Sequence, residues 1–523
     1  MSRRTFLAVA GASATATSVI ATSGVQPGVA ASAAASFGDN VIVVENVTPV
    51  GGDTDTYRWK AAIDKAREAV PGTYDRIVGT KSSYTFTGPL IIDDLHDIEI
   101  SGLGADKTIF RGDSGSAGNS LPAIFTTKEV GGSGDAAPVT NVTFADFSVD
   151  GGMLPLDAAD VGKRIRGRPF PEDLSGTLLS AIRIRGAYGP NGSGQPVEGI
   201  TVKNVSVYGT RELPIILTGV SGTARIEGSR FERCLDVGFV SNDHVEFVGN
   251  TVLWSDDNGV SISRGNSHAL CEDNVIVGSF YSGVLAGGNV ATVEVGPTDV
   301  TVRRNTIVGA SSFGIDLTLA PQDVLVEQNV IRDVSRVGIA VCGWILDTGT
   351  ASTSFDSTRL PTLPLYVVKR ETSVTPGTKV YHYDRTDANA ATYTARRITI
   401  QDNSIADSRR GGVVIYYAET VTVRRNSIFF SPATQPLIPG GRGIHFYGVS
   451  NQGTSAAVRN TSTDIKILDN AIVDTRTAAE FPASLAGYGD GVFFKDTATP
   501  TAWQVARNTI SGALYPTTPA TPQ

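Results

Sequence analysis

Three cysteines in a chain of 523 residues cannot form a disulfide framework. Cys234 and Cys342 stand several repeats apart, too far to bond, and Cys271 falls at an apolar repeat position that implies a buried thiol. With only five histidines, no metal-ligand spacing is legible, and no metal ligands are assigned. Past the N-terminal region no apolar run approaches the roughly 20 residues of a membrane span. Helix-period patterns are rare. Basic residues (44) are fewer than acidic ones (52), and no basic patch is interleaved with aromatics. These absences argue against a helical bundle, and nucleic acid is not among the expected partners.

What the chain has in abundance is glycine, 57 residues, and much of it falls in register. An Asn or Ser is followed nine residues later by a Gly and then an apolar residue. The pairs are Ser229/Gly238, Asn250/Gly259, Asn274/Gly283, Asn305/Gly314, Asn329/Gly338 and Asn403/Gly412. Among the first five, successive Asn or Ser positions lie 21 to 31 residues apart. A fixed inner offset with a variable outer period marks stacked coils, with extra residues entering as loops. No coil can bury its apolar face alone, so each stacks on the next.

The flanking columns are apolar throughout. Val245, Ala269, Val300, Val324, Ile398 and Val421 stand five before the Asn, and Val252, Ile276, Ile307, Ile331, Ile405 and Ile428 stand two after it. Polar residues alternate with them, which is the period-2 signal of a half-buried strand. Three short strands per coil give an all-β solenoid. The pattern resembles the right-handed parallel β-helix of the pectate-lyase-like superfamily. The handedness is what that resemblance implies.

In chain order, Ser2-Arg3-Arg4-Thr5-Phe6-Leu7 and the Ala-rich run after it match a twin-arginine export signal over 1–36. They imply a protein secreted after folding, extracellular or bound to the cell wall. Residues 37–97 read as an N-terminal cap with a helix over 57–70. Trp59, Ile63, Ala66 and Val70 form its apolar face, Asp55 or Thr56 its start, and Pro71-Gly72 its stop. In the superfamily such a helix often covers the open end of the coil. The β-helix itself is expected over 98–512, with insertions at 151–197 (carrying Lys163, Arg164, Arg166 and Arg168) and 345–395. The second contains a hairpin around Pro376-Gly377. The tail, 513–523, reads as disordered.

The repeated Asn residues read as a ladder of side-chain amides rather than a ligand site. Chemistry is expected elsewhere. Two residues before each Gly stand Asp236, Asp257, Tyr281, Ser312, Arg336 and Arg410. If the strands extend that far, Asp236 and Asp257 lie on one outer face, on coils about 4.8 Å apart, with Asp256 alongside. Such crowding should raise at least one carboxyl pKa, which suits acid–base catalysis. Phe280 and Tyr281 on the next coil offer a surface for a sugar ring. Arg336 and Arg410 lie further along and can bind a substrate carboxylate or balance the acids.

Cys234-Leu235-Asp236-Val237-Gly238 followed by Ser255-Asp256-Asp257-Asn258-Gly259 is similar in spacing to the catalytic Asp and Asp-Asp pair of the polygalacturonase family. The resemblance implies Asp256 as general acid, with Asp236 and Asp257 activating water for inverting hydrolysis. The family's Asn-Thr-Asp-Gly, Gly-His-Gly and Arg-x-Lys patterns are not kept, so the polymer stays open.

Three readings follow. A glycoside hydrolase acting on a polysaccharide or oligosaccharide needs no cofactor. A polysaccharide lyase would use the acids to hold Ca2+, with Arg336, Arg410 or Tyr281 as base, and a fructan-cleaving transferase belongs near it. A non-catalytic carbohydrate-binding surface protein would leave the acids as solvated charges. Asp243, His244, His268, Asp316, Tyr416, Tyr417, Glu419 and His445 are notable but receive no role. Oligomeric state is not readable.

Overall fold

The structure, a computed structural model, describes residues 37–52, 54–113, 121–128, 137–152, 178–188, 195–263, 265–287, 296–318, 321–342, 367–375, 378–385, 395–416, 418–431, 442–447, 462–475, 490–495, 502–512 and 515–517. Residues 40–523 form one compact unit; of the other, 1–39, only 37–39 are described. The export signal therefore lies outside the described residues, as do Lys163, Arg164, Arg166, Arg168 and Tyr417.

Among the described residues the chain winds through three long parallel sheets. Sheet 1 has fourteen strands, from Val41–Val43 to Trp503–Ala506. Sheet 2 has thirteen, from Ser83–Phe86 to Thr509–Ser511, and sheet 3 has thirteen, from Leu90–Ile91 to Tyr515–Thr517. From Arg76–Val78 onward each coil contributes one strand to each sheet. His244–Val248, Thr251–Leu253 and Val260–Ser263 make one coil; Ser267–Glu272, Val275–Val277 and Ser282–Gly287 make the next. The apolar columns pair as the spacing requires: Val245 with Ala269, Val252 with Ile276, Val260 with Val284. Their side chains are buried in one continuous core.

The corner between sheets 1 and 2 shows how the repeat is enforced. The residue before each ladder Asn takes a left-handed backbone, as at Asp273, Arg304, Gln328, Asp402 and Arg425, with φ of 53° to 57°. This turns the Asn inward. Asn274 Nδ2 donates to Asn305 Oδ1 at 2.8 Å, Asn305 to Asn329 at 3.0 Å, and Asn329 to Asn403 at 2.9 Å. Each amide oxygen also accepts a backbone N–H of the preceding coil, as Asn329 Oδ1 does from Asn305 N at 3.0 Å. Buried turns thus keep their polar groups satisfied. The repeated Gly has a different cause. A Cβ on Gly314 would stand 2.5 Å from the Gly338 carbonyl oxygen and 2.5 Å from Ile331 Cγ2, so no larger residue fits between coils there.

The helix, α1, runs Asp55–Glu68, two residues earlier at both ends than the pattern predicts. Thr54, not Asp55 or Thr56, caps it, accepting from Tyr57 N; the Asp55 carboxylate instead takes Lys81 Nζ and Thr85 N. Pro71 disfavours helical geometry at Val70, which stands 77 % exposed rather than on the packed face. Trp59 is fully buried. Its ring meets Tyr84 and Phe110 edge-on, at 5.5 and 5.3 Å between centroids.

The ladder starts earlier than residue 98. Val41–Val43 pairs with Arg76–Val78, and that strand pairs with His96–Ser101. These strands escape the pattern because no Asn/Gly pair marks their coils. The segment 151–197 is not all insertion: Leu178–Arg185 pairs with Leu121–Thr126 and Ile215–Thr218 as a regular sheet 3 strand. At the C-terminus, Tyr515–Thr517 is a strand on Asp490–Lys495, because that open edge offers unpaired backbone groups. In the second insertion, Val367–Thr375 and Thr378–Arg385 form the expected antiparallel hairpin. Sheet 1 then resumes in register, with Val324 opposite Ile398.

Candidate active site

The residues two before each Gly do fall in one column. Tyr281 N donates to Asp257 O at 2.9 Å, Ser312 N to Tyr281 O at 2.8 Å, Arg336 N to Ser312 O at 3.1 Å, and Arg410 N to Arg336 O at 2.7 Å. The column lies at the corner between sheets 2 and 3. One coil earlier, Val237 N donates to Gly259 O at 3.4 Å and Asp256 N to Cys234 O at 2.8 Å, which puts Asp236 beside Asp257.

Asp236 is half-buried, and its carboxyl turns to Ser261 on the outer face of sheet 3. Burial is the main force that pushes its pKa up to about 6, and the nearby charge of Asp257 adds to it. Hydrogen bonds from Ser261 Oγ and Asn258 oppose the rise. Asn258 is itself held in place: its Oδ1 accepts from Ser282 N at 3.2 Å, and its Nδ2 donates to Asp257 Oδ1 at 3.4 Å and to Ser261 Oγ at 3.3 Å. Asp256 is half-buried next to the pair. The resemblance implied Asp256 as the acid and Asp236 with Asp257 as the water-activating pair; a raised proton affinity is found at Asp236.

Tyr281 and Phe280 are half-buried on the following coil, and the Tyr281 ring meets Phe313 edge-on at 6.3 Å. Arg336 is exposed and Arg410 half-buried. They lie three and four coils beyond Asp257, roughly 14 and 19 Å along the ladder, so they are not part of the Asp236–Asp257 pair.

A further carboxyl carries no assignment from sequence. Asp316 lies on the outer face of sheet 3, in the row Ser261, Leu285, Asp316, Ala340, Val414, His445. It is 4 % exposed, and burial pushes its pKa up to about 7, with the nearby Ser282 hydroxyl opposing the rise. Its row neighbours Leu285, Ala340 and Val414 are apolar. His445 stands further along the same row, also buried. At the far corner of sheet 3, Asp243, His244 and His268 come within 4.8 Å of one another, a cluster that sequence reasoning noted without assigning.

No protein-family model matches this chain, and no curated protein does. Solved structures do. The chain is similar to the A-module of mannuronan C-5 epimerase AlgE4 from Azotobacter vinelandii, at 16 % identity and TM-score 0.50, over 92 % of this chain and 98 % of that one. It is similar to PfbA, a surface adhesin of Streptococcus pneumoniae, at 13 % identity and TM-score 0.50, over 83 % and 90 %. It also matches DFA-IIIase from Arthrobacter chlorophenolicus at 12 % identity and TM-score 0.46, over 90 % and 95 %. The fold is thus that of the right-handed parallel β-helices.

Proposed function

We propose that the chain is a secreted glycoside hydrolase that cleaves a polysaccharide or oligosaccharide laid along sheet 3. The observation that carries this is the Asp236–Asp257 pair, in which one carboxyl holds its proton to about 6 beside a second carboxyl. In this reading Asp236 protonates the glycosidic oxygen. Asp257 faces the cation that develops at the sugar carbon, or draws a proton from the attacking water, while Asp256 flanks the pair. Asp316, protonated up to about 7, offers a hydrogen-bond donor further along the same face. Tyr281 and Phe280 provide ring contacts. No cofactor enters these steps. The arginine pair at residues 3 and 4 and the apolar run behind it support export through the twin-arginine route.

A second reading rests on Arg336 and Arg410, which share the column of Asp257 and Tyr281. Two cations in line with the acids favour an anionic polymer, and a lyase would then abstract a proton next to its carboxylate, with Ca2+ on the acids. A fructan-cleaving transferase is a variant of carbohydrate cleavage on the same residues, and a non-catalytic carbohydrate binder is the remaining outcome.

Product analysis on acidic and neutral polysaccharides, with and without chelator, separates them. New reducing ends without unsaturated products, indifferent to chelator and lost in Asp257→Asn and Asp236→Asn, support hydrolysis. Unsaturated ends that vanish with chelator support the lyase. Binding without cleavage of any polymer would sink both.

A further inference from the structure

Two imidazoles on neighbouring coils face one carboxylate at the corner between sheets 3 and 1. His244 and His268 are ladder neighbours because Val245 pairs with Ala269. Their rings stack with centroids 4.6 Å apart and planes 14° apart. His244 Nδ1 lies 3.1 Å from Asp243 Oδ2, and His268 Nδ1 lies 3.7 Å from Asp243 Oδ1. A tetrahedral ion with bonds of about 2.0–2.1 Å sets its ligand atoms about 3.4 Å apart. The two separations run to different oxygens of the carboxylate, and one donor atom from each of the three residues lies within 4.8 Å of the other two.

The surroundings hold these groups in place. Asn242 and Asn266 are buried directly beneath them and form a second amide ladder. Asn242 N and Nδ2 donate to Asn266 Oδ1 at 2.8 and 3.1 Å, and Asn242 Oδ1 accepts from Val220 N at 2.9 Å. Ser267 Oγ donates to the Asp243 carbonyl at 3.0 Å. The donor atoms have an outer layer as well. Tyr188 Oη donates to Asp243 Oδ1 at 3.2 Å, and Asp299 Oδ2 stands 3.9 Å from His268 Nε2. A carboxylate behind the far nitrogen of a ligand histidine is the common second layer of metal sites. Both rings are about half exposed, at 50 % and 51 %, so an ion can enter from solvent.

We propose that Asp243, His244 and His268 bind a divalent transition metal, Zn2+ by the match of two imidazole nitrogens and one carboxylate oxygen, with its remaining position open to water. The ion joins two coils. The width of a sheet 3 strand, about 13 Å for four residues, separates it from the Asp236 corner, so binding is read independently of polysaccharide cleavage.

The test uses untagged, chelator-stripped full chain titrated with Zn2+ by calorimetry and with Co2+ by visible absorption. One equivalent should bind, Co2+ should give tetrahedral absorption bands, and the melting temperature should rise with the ion. His244→Ala, Asp243→Asn and His268→Asn should each weaken binding at least about tenfold, and Tyr188→Phe by about tenfold or somewhat less. Asn is chosen at 268 because the backbone there is left-handed, with φ of 47°. Circular dichroism of the ion-free variants distinguishes a lost ligand from a lost fold. Absence of saturable binding by the wild type, or unchanged affinity in the folded double variant His244→Ala/His268→Asn, overturns the site.

Discussion

Asp257 raises the proton affinity of Asp236 from the neighbouring coil, and Ser261 lowers it. The two influences can be separated by mutation. Asp257→Asn removes the repelling charge, so the Asp236 carboxyl should titrate below about 6. Ser261→Ala removes a hydrogen bond that favours the carboxylate, so it should titrate above that value. Carboxyl-carbon NMR of Asp236 reads both. Shifts in the same direction would contradict the arrangement.

The same two raised carboxyls give stability a pH dependence of defined sign. An unfolded aspartate ionises at about 3.9, whereas Asp236 holds its proton to about 6 and Asp316 to about 7. Between these values the native chain binds more protons than the unfolded one. Their contribution is therefore full below about pH 4 and declines as pH rises to about 7. Denaturation midpoints measured from pH 4 to 8 should fall less in Asp236→Asn/Asp316→Asn than in the wild type. An equal decline in both proteins would show that neither group is the source. Asp323, Asp402 and Asp469 act in the opposite sense: their hydrogen-bonded arginines lower their pKa values, so their contribution fades only as pH drops below the ordinary aspartate value.

If Asp236 is the proton donor of a hydrolase, activity should decline as pH rises past about 6. Asp316→Asn should keep turnover within about tenfold while changing KM, as expected for a binding contact, whereas Asp236→Asn should reduce kcat by at least about a hundredfold. Steady-state kinetics on whichever polymer is cleaved checks this, and an unaffected kcat in Asp236→Asn would remove it from the chemistry.

Trp59→Ala should destabilise the N-terminal coils by about 3–5 kcal/mol, since a fully buried ring among Tyr84, Phe86, Phe110 and Phe125 leaves a cavity that its neighbours cannot fill. Hydrogen exchange should show faster opening of Arg76–Val78 and Ser83–Phe86 than of Val260–Ser263. Uniform acceleration along the whole chain would argue against a local capping role.

Asn329→Ala should cost about 1–3 kcal/mol for each buried backbone group left without its partner. Asn329 Oδ1 serves Asn305 N, and its Nδ2 donates to the Val302 carbonyl at 2.9 Å. Asn508, near the end of the ladder and only partly buried, should tolerate Ala better. Urea midpoints of the two variants provide the comparison.

The core was readable because inward positions repeat every second residue and every coil. Val245 and Ala269, or Val252 and Ile276, can be paired by counting. The neighbourhood of Asp236 and Asp257 was readable by the same count. So was that of His244 and His268, whose 24-residue offset equals that of Asn250 and Asn274, although proximity alone does not say that two rings turn to one carboxylate. The depth of Asp316 was not legible. Outward positions of a solenoid are open or covered according to what lies over them, and alternation is silent on that. The strands at Val41–Val43 and Arg76–Val78 were missed because their corners turn without the Asn and Gly that mark later coils.

Asn329 and Asn403 are 74 residues apart, yet their amides meet at 2.9 Å, as those of Asn403 and Asn426 do after 23 residues. The scaffold measures position in coils, and chain length between two rungs is a free variable. Whatever leaves the solenoid after Cys342 and returns at Ala395 can thus be lengthened, exchanged or trimmed without altering the pitch. The surface that meets a substrate can then change at a different pace from the core that holds it.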